Sequence, residues 1–434
     1  MATIKKRNGS YQITVTNGTD INGKKIRETC TIKYDESLTE LQNTKAVEKY
    51  AREFEDRVKN GKYLKGEKLT LKEYADKWKK EYAEQVLEET TRDAYYHHID
   101  RVILPALGHI KLADIRPLHL QSLYNNLTED GIRIDGKPGG YSYGTIKRYH
   151  AVISSMLSTA VQWQLIESNP CDRVKIPKTT KKKAVSTNVK CFTLEQAEIF
   201  IKALDMEYTT EYKSHKRVDD TGKEYNVKMY VEKRSIPMQF RVFFNIAIFG
   251  GLRKGELLAL TWKDIDFDNC SISITKSAAY TGKKVINKDT KNSASERTIK
   301  LPLSAFELLR IYKREQNEYR LSIGDLWQGD NYLFIQTNGK QMHPSTPYHT
   351  FKDILEKYNK TVKEKAEKLP DITLHDLRHT SATLLIANNV DVRTVSARLG
   401  HAQTSTTMNI YAHALSKMDE KAAETLENIF SNKA

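Results

Sequence analysis

The stretch MQFRVFFNIAIFGG, residues 238–251, constrains the fold more than any other part of the chain. Wound as a helix it is apolar on nearly every side, interrupted only by Gln239, Arg241 and Asn245. A helix without a polar face has nothing to offer water and belongs inside, with other elements packed around it. That requires a domain of some size. With 434 residues at 39% hydrophobic, the chain can supply one, and its length fits about two to four domains. The apolar run stops at Gly250-Gly251, and GGLRKGELLAL, 250–260, then begins a new helix with Arg253 at its start and Glu256 one turn on.

Other segments divide the chain. In residues 1–63, SYQITVTNG and KIRETCTIKY alternate like strands around the turn chemistry of NGTDINGK, and TKAVEKYAREFEDRVKNGK reads as a helix ending near Gly61. The first 34 residues hold seven basic side chains, Lys5, Lys6, Arg7, Lys24, Lys25, Arg27 and Lys33, against Asp20 and Glu28. Such a basic sheet could lie on DNA. From Thr70 a capping box with Glu73 opens a helical region, 68–175. Its helix GTIKRYHAVISSMLSTAVQW places Tyr149, Val152, Ile153, Met156, Leu157, Ala160 and Val161 on one stripe, which reads as core packing. Residues 176–190 form a linker rich in lysine, including Lys181, Lys182 and Lys183, which is either merely solvated or follows a phosphate backbone. The last region, 191–434, opens on a second capping box, Thr193 to Gln196. It includes an insertion at 207–235 with a hairpin expected at YNVKMYVEK, a strand–turn–strand over 271–302, and helices after 344.

The formal charge of +15 favours a polyanionic partner, chiefly nucleic acid, although a soluble protein with many surface lysines would carry it too. No run of about 18 apolar residues suggests a membrane span, and the N-terminus has no secretory apolar region. Cys30, Cys171, Cys191 and Cys270 lack C-x-x-C spacing and suit a reducing cytosol.

The chemistry centres on LHDLRHT, 374–380. His375 and His379 have the i,i+4 spacing of a zinc helix, but Asp376 is a methylene short of the usual Glu, and Arg378 would place a fixed cation beside the metal. Polar decoration of a helix remains one alternative. An anion site remains another, because Arg offers a planar fork of donors and His a further hydrogen bond. Candidates to complete it are Arg253 and, in LGHAQTSTTMNIYAHAL, His401 and Tyr411.

These three boxes, GLRKGELLAL, HDLRHTSATLL and LGHAQTSTTMNIYAH, resemble in order and spacing the signature boxes of tyrosine site-specific recombinases, most closely the integrases of phages and conjugative transposons. The resemblance implies a small α+β arm-type DNA-binding domain over 1–63, an all-α core-binding domain over 68–175, and a mainly α catalytic domain with a small antiparallel sheet over 191–434. It implies that Tyr411 is the nucleophile, that Arg253, Arg378, His375 and His401 hold the scissile phosphate, and that Glu256 orients Arg253 or a histidine. A hairpin lysine protonates the leaving 5′ oxygen, with Lys291 matching the pattern better than Lys288. His379 falls to a structural role. The reaction conserves bond energy in a 3′-phosphotyrosine, so neither metal nor ATP is required. Expected partners are double-stranded DNA at core and arm sites, three further copies in a tetramer linked by the amphipathic tail (Leu415, Met418, Ala422, Leu426, Ile429), and an accessory excision factor or DNA-bending protein. The expected location is the bacterial cytoplasm, at the nucleoid when on DNA, and the expected outcome is integration and excision of a mobile element. A topoisomerase-like relaxase with the same residues is disfavoured by the basic N-terminal unit, and a non-catalytic DNA-binding relative by the complete set from Arg253 to Tyr411.

Overall fold

The computed structural model describes residues 2–7, 9–19, 23–59, 69–177, 190–218, 222–281, 284–289, 295–364, 367–401 and 408. The chain divides into two compact units, Met1–Lys181 and Lys182–Ala434. The boundaries expected near 63–68 and within the lysine-rich linker fall on residues 60–68 and 178–189, outside the described residues.

The first unit contains two separate cores. Strands β1 (Thr3–Arg7), β2 (Ser10–Thr19) and β3 (Lys25–Lys33) form an antiparallel sheet in that order. Tyr11, Ile13 and Val15 alternate onto one face, where Val47, Ala51, Phe54 and Val58 of helix α1 (Glu40–Lys59) cover them. The pattern of β2 and β3 is legible in sequence, whereas β1 is not: TIKKR is exposed throughout and has no alternation to read. Register places Lys5 and Arg7 beside Gln12 and Ser10, on the face away from α1. Arg27 and Lys33 join them there, opposite Thr16 and Ser10. Lys6 lies opposite Tyr11, on the helix side, and its ammonium pairs with Glu40 at 2.6 Å.

The second core is helical. Thr70 and Glu73 cap α2 (Leu71–Trp78) reciprocally, at 3.2 and 2.8 Å. Helices α3 (Glu89–His98), α4 (Pro117–Asn126) and α5 (Tyr143–Gln162) pack with it, together with the short turns that carry Ile103, Leu107 and Leu112. The α5 stripe is buried as its periodicity dictates, with Val161 at its half-buried margin. Two polar bonds fix its rotation: the Tyr74 hydroxyl donates to the Met156 carbonyl (2.6 Å), and the Trp78 indole to the Thr159 hydroxyl (3.1 Å).

In the second unit, Thr193 and Gln196 cap α6 (Leu194–Ala203) as expected. The insertion departs from the local hairpin. Strands β4 (Glu207–Tyr212) and β7 (Tyr230–Ser235) pair with each other, and β5 (His215–Val218) pairs with β6 (Glu224–Val227), giving two nested antiparallel pairs. The alternation at 225–233 therefore belongs to two strands with different partners. Tertiary pairing outranks local pattern here.

Helix α7 (Met238–Gly250) runs through the core, with Phe243 and Phe244 fully buried among Phe200, Phe334 and Phe351. Each such phenyl contributes about 1.5–3 kcal/mol through burial. The short α8 (Lys254–Ala259) follows. Strands β8 (Ile265–Asp266), β9 (Ser271–Ile274) and β12 (Arg297–Lys300) form a sheet in the order β12-β9-β8, while β10 (Lys276–Thr281) pairs with β11 (Lys284–Asp289). Residues 290–296 join two positions whose partners, Lys276 and Ile274, are separated by Thr275 alone. Helices α9 (Leu303–Ile323), α10 (Thr346–Thr361), α11 (Asp376–Ala387) and α12 (Val392–Leu399) follow among the described residues.

Gly251 ends α7 in the left-handed conformation, φ +63°, and a Cβ there would stand 2.7 Å from the Leu399 side chain and 3.2 Å from the Ser381 hydroxyl. Both the backbone and the packing of α12 against α7 demand glycine. Gly251→Ala is expected to destabilise the chain by about 2–4 kcal/mol, read from the shift in its urea midpoint.

Candidate active site

The site assembles on the C-terminus of α12. Gly400 adopts φ +66°, its N–H bonds to the Ala397 carbonyl (3.0 Å), and the His401 N–H bonds back to Ser396 (3.1 Å). This pair of bonds is a Schellman cap: the left-handed glycine terminates the helix and turns His401 off its axis. The last carbonyls of a helix lack intrahelical donors and lie at the negative end of its dipole. Here three arginines supply the donors. Arg297 Nε bonds the Arg398 carbonyl (2.6 Å), Arg378 Nη2 bonds that of Leu399 (2.6 Å), and Arg253 Nη2 bonds that of Gly400 (3.1 Å).

Each arginine comes from a different element. Arg378, in the first turn of α11, is 2% exposed and also donates through Nη1 to the Gly251 carbonyl at 2.8 Å. Arg253 is the N-cap residue of α8, with φ −70° and ψ 149°. Its side chain is 37% exposed. Arg297 opens β12, with a side chain only 7% exposed.

Glu256 ties two of them together. Its Oε2 accepts from the Arg253 backbone N–H (2.9 Å) and from Arg297 Nη2 (2.9 Å), while Oε1 accepts from Arg253 Nη1 (2.7 Å). Burial opposes its charge. The bond and charge of Arg297 and the bonds from Arg253 outweigh that, so the carboxyl is held below its usual range. The family resemblance made Glu256 a partner of Arg253 or of a histidine, without the second arginine. In the structure it is a 2%-exposed carboxylate shared between two arginines. Arg297 escaped sequence reading, because nothing in SERTIKLP separates a buried strand arginine from a solvated one.

His375 stands at the N-cap of α11, just before Asp376, whose carboxylate accepts from the Thr373 N–H at 2.6 Å. Its ring packs edge-on against that of His379, centroids 5.0 Å apart. Among the described residues, no three His, Cys, Asp or Glu side chains group as metal ligands do. Burial, then the charge of Arg378, lowers the pKa of His375, and burial, then His375, lowers that of His379. Burial and the charges of Arg378 and Arg253 bring His401 down to about 4, so it is neutral near pH 7.

The structure thus brings Arg253, Glu256, His375, Arg378 and His401 to one place. Tyr411, Lys291, the linker lysines Lys181, Lys182 and Lys183, and the tail from 415 lie outside the described residues. Lys288 is described, on β11. Lys24 and Lys25 are exposed at the β2–β3 end of the N-terminal sheet.

The profile of the phage integrase family matches residues 221–418, and that of the phage integrase N-terminal SAM-like domain matches 70–128, together more than half of the chain. Among curated proteins, the chain is 27% identical to a tyrosine recombinase XerC-like protein of Caldanaerobacter subterraneus subsp. tengcongensis, covering 98% of each. It is 25% identical to the ICEBs1 integrase of Bacillus subtilis, over 99% of this chain and 100% of that one. The fold matches the Tn1549 transposon integrase solved in complex with transposon right end DNA, with TM-score 0.61, 20% identity, and coverage of 83% of this chain and 100% of that one. A lambda integrase dimer bound to a core site matches with TM-score 0.51 at 16% identity, over 94% of each chain. The chain belongs to the phage integrase family: it is a tyrosine site-specific recombinase of the phage or conjugative-element type.

An unfolded histidine takes up its proton near pH 6.5, whereas folded His401 resists until about 4. Its contribution to stability is therefore intact above about 6.5 and lost as pH falls toward 4. His401→Gln is expected to flatten the fall of the urea midpoint across that window. Imidazole NMR signals of His401 should titrate near 4 in the free protein.

Proposed function

We propose that the Arg253–His375–Arg378–His401 group binds the scissile phosphate of duplex DNA and that Tyr411 attacks it. The Tyr411 oxygen forms a bond to phosphorus as the bond to the 5′ oxygen breaks. The phenolic proton passes toward His375, which is neutral and able to accept it, and Lys291, or Lys288 in its place, delivers a proton to the leaving oxygen. The products are a 3′-phosphotyrosine and a 5′-hydroxyl. The 5′-hydroxyl of a partner strand reverses the step without ATP. The observation that carries this reading is the convergence of Arg253 and Arg378 on the end of α12 beside His401. Guanidinium groups already held in place stabilise charge developing on the non-bridging oxygens without reorganising during the reaction. A phosphate arriving there would raise the pKa of His401 and let it donate.

On this reading the helix-free face of the N-terminal sheet, with Lys5, Arg7, Arg27 and Lys33, is the arm-type DNA surface, and the helical core of residues 69–177 is the core-binding part. The amphipathic tail of one copy seats on the next to link four protomers. An apolar groove of about 320 Å³, lined by Leu194, Ala197, Ile201, Ile248, Phe249 and Leu385, supports such a seat. The protein would integrate and excise a mobile element in the bacterial cytoplasm, with an accessory factor setting direction.

A nicked suicide substrate cut from the element's ends, incubated with EDTA, tests the chemistry. Wild type is expected to yield a protein–DNA band that survives denaturation, and Tyr411→Phe none. A band from both would move the nucleophile to another tyrosine. For the arm surface, Lys5→Ala and Arg7→Ala should each weaken binding to end fragments and reduce the slope of log K against log salt by about 0.9 for each phosphate no longer neutralised. Lys6→Ala, on the other face, should leave that slope unchanged.

A further inference from the structure

We propose that Arg297 is a positioning residue for strand cleavage: it fixes the guanidinium of Arg253 and the His401 turn relative to each other without touching DNA. The proposal rests on the reading of the Arg253 group as the phosphate site. With a side chain 7% exposed, Arg297 is not a surface contact. Its donors reach three different places: Nη2 to Glu256 (2.9 Å), Nε to the Arg398 carbonyl (2.6 Å), and Nη1 to the Ser295 carbonyl (3.0 Å). The second of these bonds is reciprocated. Arg398 Nη2 donates to the Lys300 carbonyl at the far end of β12 (2.8 Å) and to Phe249 at the end of α7 (2.8 Å). Each of β12 and α12 thus grips the other's backbone with an arginine. Only a planar fork makes the bonds from Arg297 at once, and an ammonium on a flexible stem does not.

Glu256 explains why this matters to Arg253. Its carboxylate divides between Arg253 Nη1 and Arg297 Nη2. Without Arg297 the whole buried charge would fall to Arg253, drawing its guanidinium into a two-oxygen clamp and away from Gly400 and from any phosphate. The end of α12, which aims His401, would lose the donor at residue 398. A buried ion pair is poor evidence for stability as such, since a well-packed apolar pair often serves as well. Placement is the better account of a group that bonds both Glu256 of α8 and the end of α12.

The test compares Arg297→Lys with wild type on the same end fragments, carrying at the cleaved position either the natural phosphodiester or a methylphosphonate. The methyl group removes the charge that Arg253 neutralises. Arg297→Lys is expected to bind the fragments within about twofold of wild type and to form the covalent complex about 10- to 100-fold more slowly. On the methylphosphonate most of that deficit should disappear. Cleavage of the natural substrate within about twofold of wild type would overturn the proposal, as would an equal loss on both substrates, which would assign Arg297 to general packing or to support of Lys291. Should Arg297→Lys fail to melt cooperatively, Glu256→Gln combined with Arg297→Met removes both buried charges together, and the same two-substrate comparison decides. Failure of wild type to form a covalent complex on DNA that it binds would sink the phosphate-site reading, and the proposal with it.

Discussion

The end of one short helix organises the catalytic unit. The Arg398, Leu399 and Gly400 carbonyls each accept from a guanidinium belonging to a different element, β12, α11 and the start of α8. Three like charges drawn this close repel one another, and only fixed negative charge holds them. The helix terminus supplies part of it through its unsatisfied carbonyls and dipole, and the buried carboxylate of Glu256 supplies the rest. Remove the Schellman turn at Gly400 and the three arginines have no common partner.

That arrangement also determines what the neighbouring histidines are. His401 leaves the helix through the left-handed glycine into a half-buried position beside Arg378 and Arg253, and burial first, then those charges, bring its pKa down to about 4. His375 and His379, half-buried against each other, stay neutral for related reasons. Three arginines against the one carboxylate of Glu256 leave net positive charge among neutral imidazoles, and on the proposed reading a phosphodiester would offset it. The rest of the unit holds this cluster still. Largely buried α7 ends on the left-handed Gly251, and the carbonyls at this end, Phe249 and Gly251, receive Arg398 and Arg378.

The first unit follows simpler rules. Its sheet sorts residues by parity: alternate apolar side chains of β2 face α1, and Lys5, Arg7, Arg27 and Lys33 of β1 and β3 face away. The same parity turns Lys6 to the helix side while its neighbours Lys5 and Arg7 face out. Composition counted all three as equivalent, and register separates them.

Much of this was legible in the chain itself. The capping boxes at Thr70 and Thr193, the buried stripe of α5 and the mostly apolar α7 are local patterns, since helix caps and periodicity depend only on near neighbours. The three boxes holding Arg253, His375, Arg378 and His401 were legible through their family resemblance, each lying beside a helix terminus. What pairs with what was not. Strands β4 to β7 found partners that local alternation did not indicate, because strand pairing is settled by distant segments. Arg297 looked like any strand arginine until β12 came to rest against α12, where Arg398 stands 101 positions further along the chain. Sequence determined which elements form and which residues end them. Only the tertiary structure decided which arginine carbonyls and carboxylates share, because hydrogen bonds between distant elements carry no local signature.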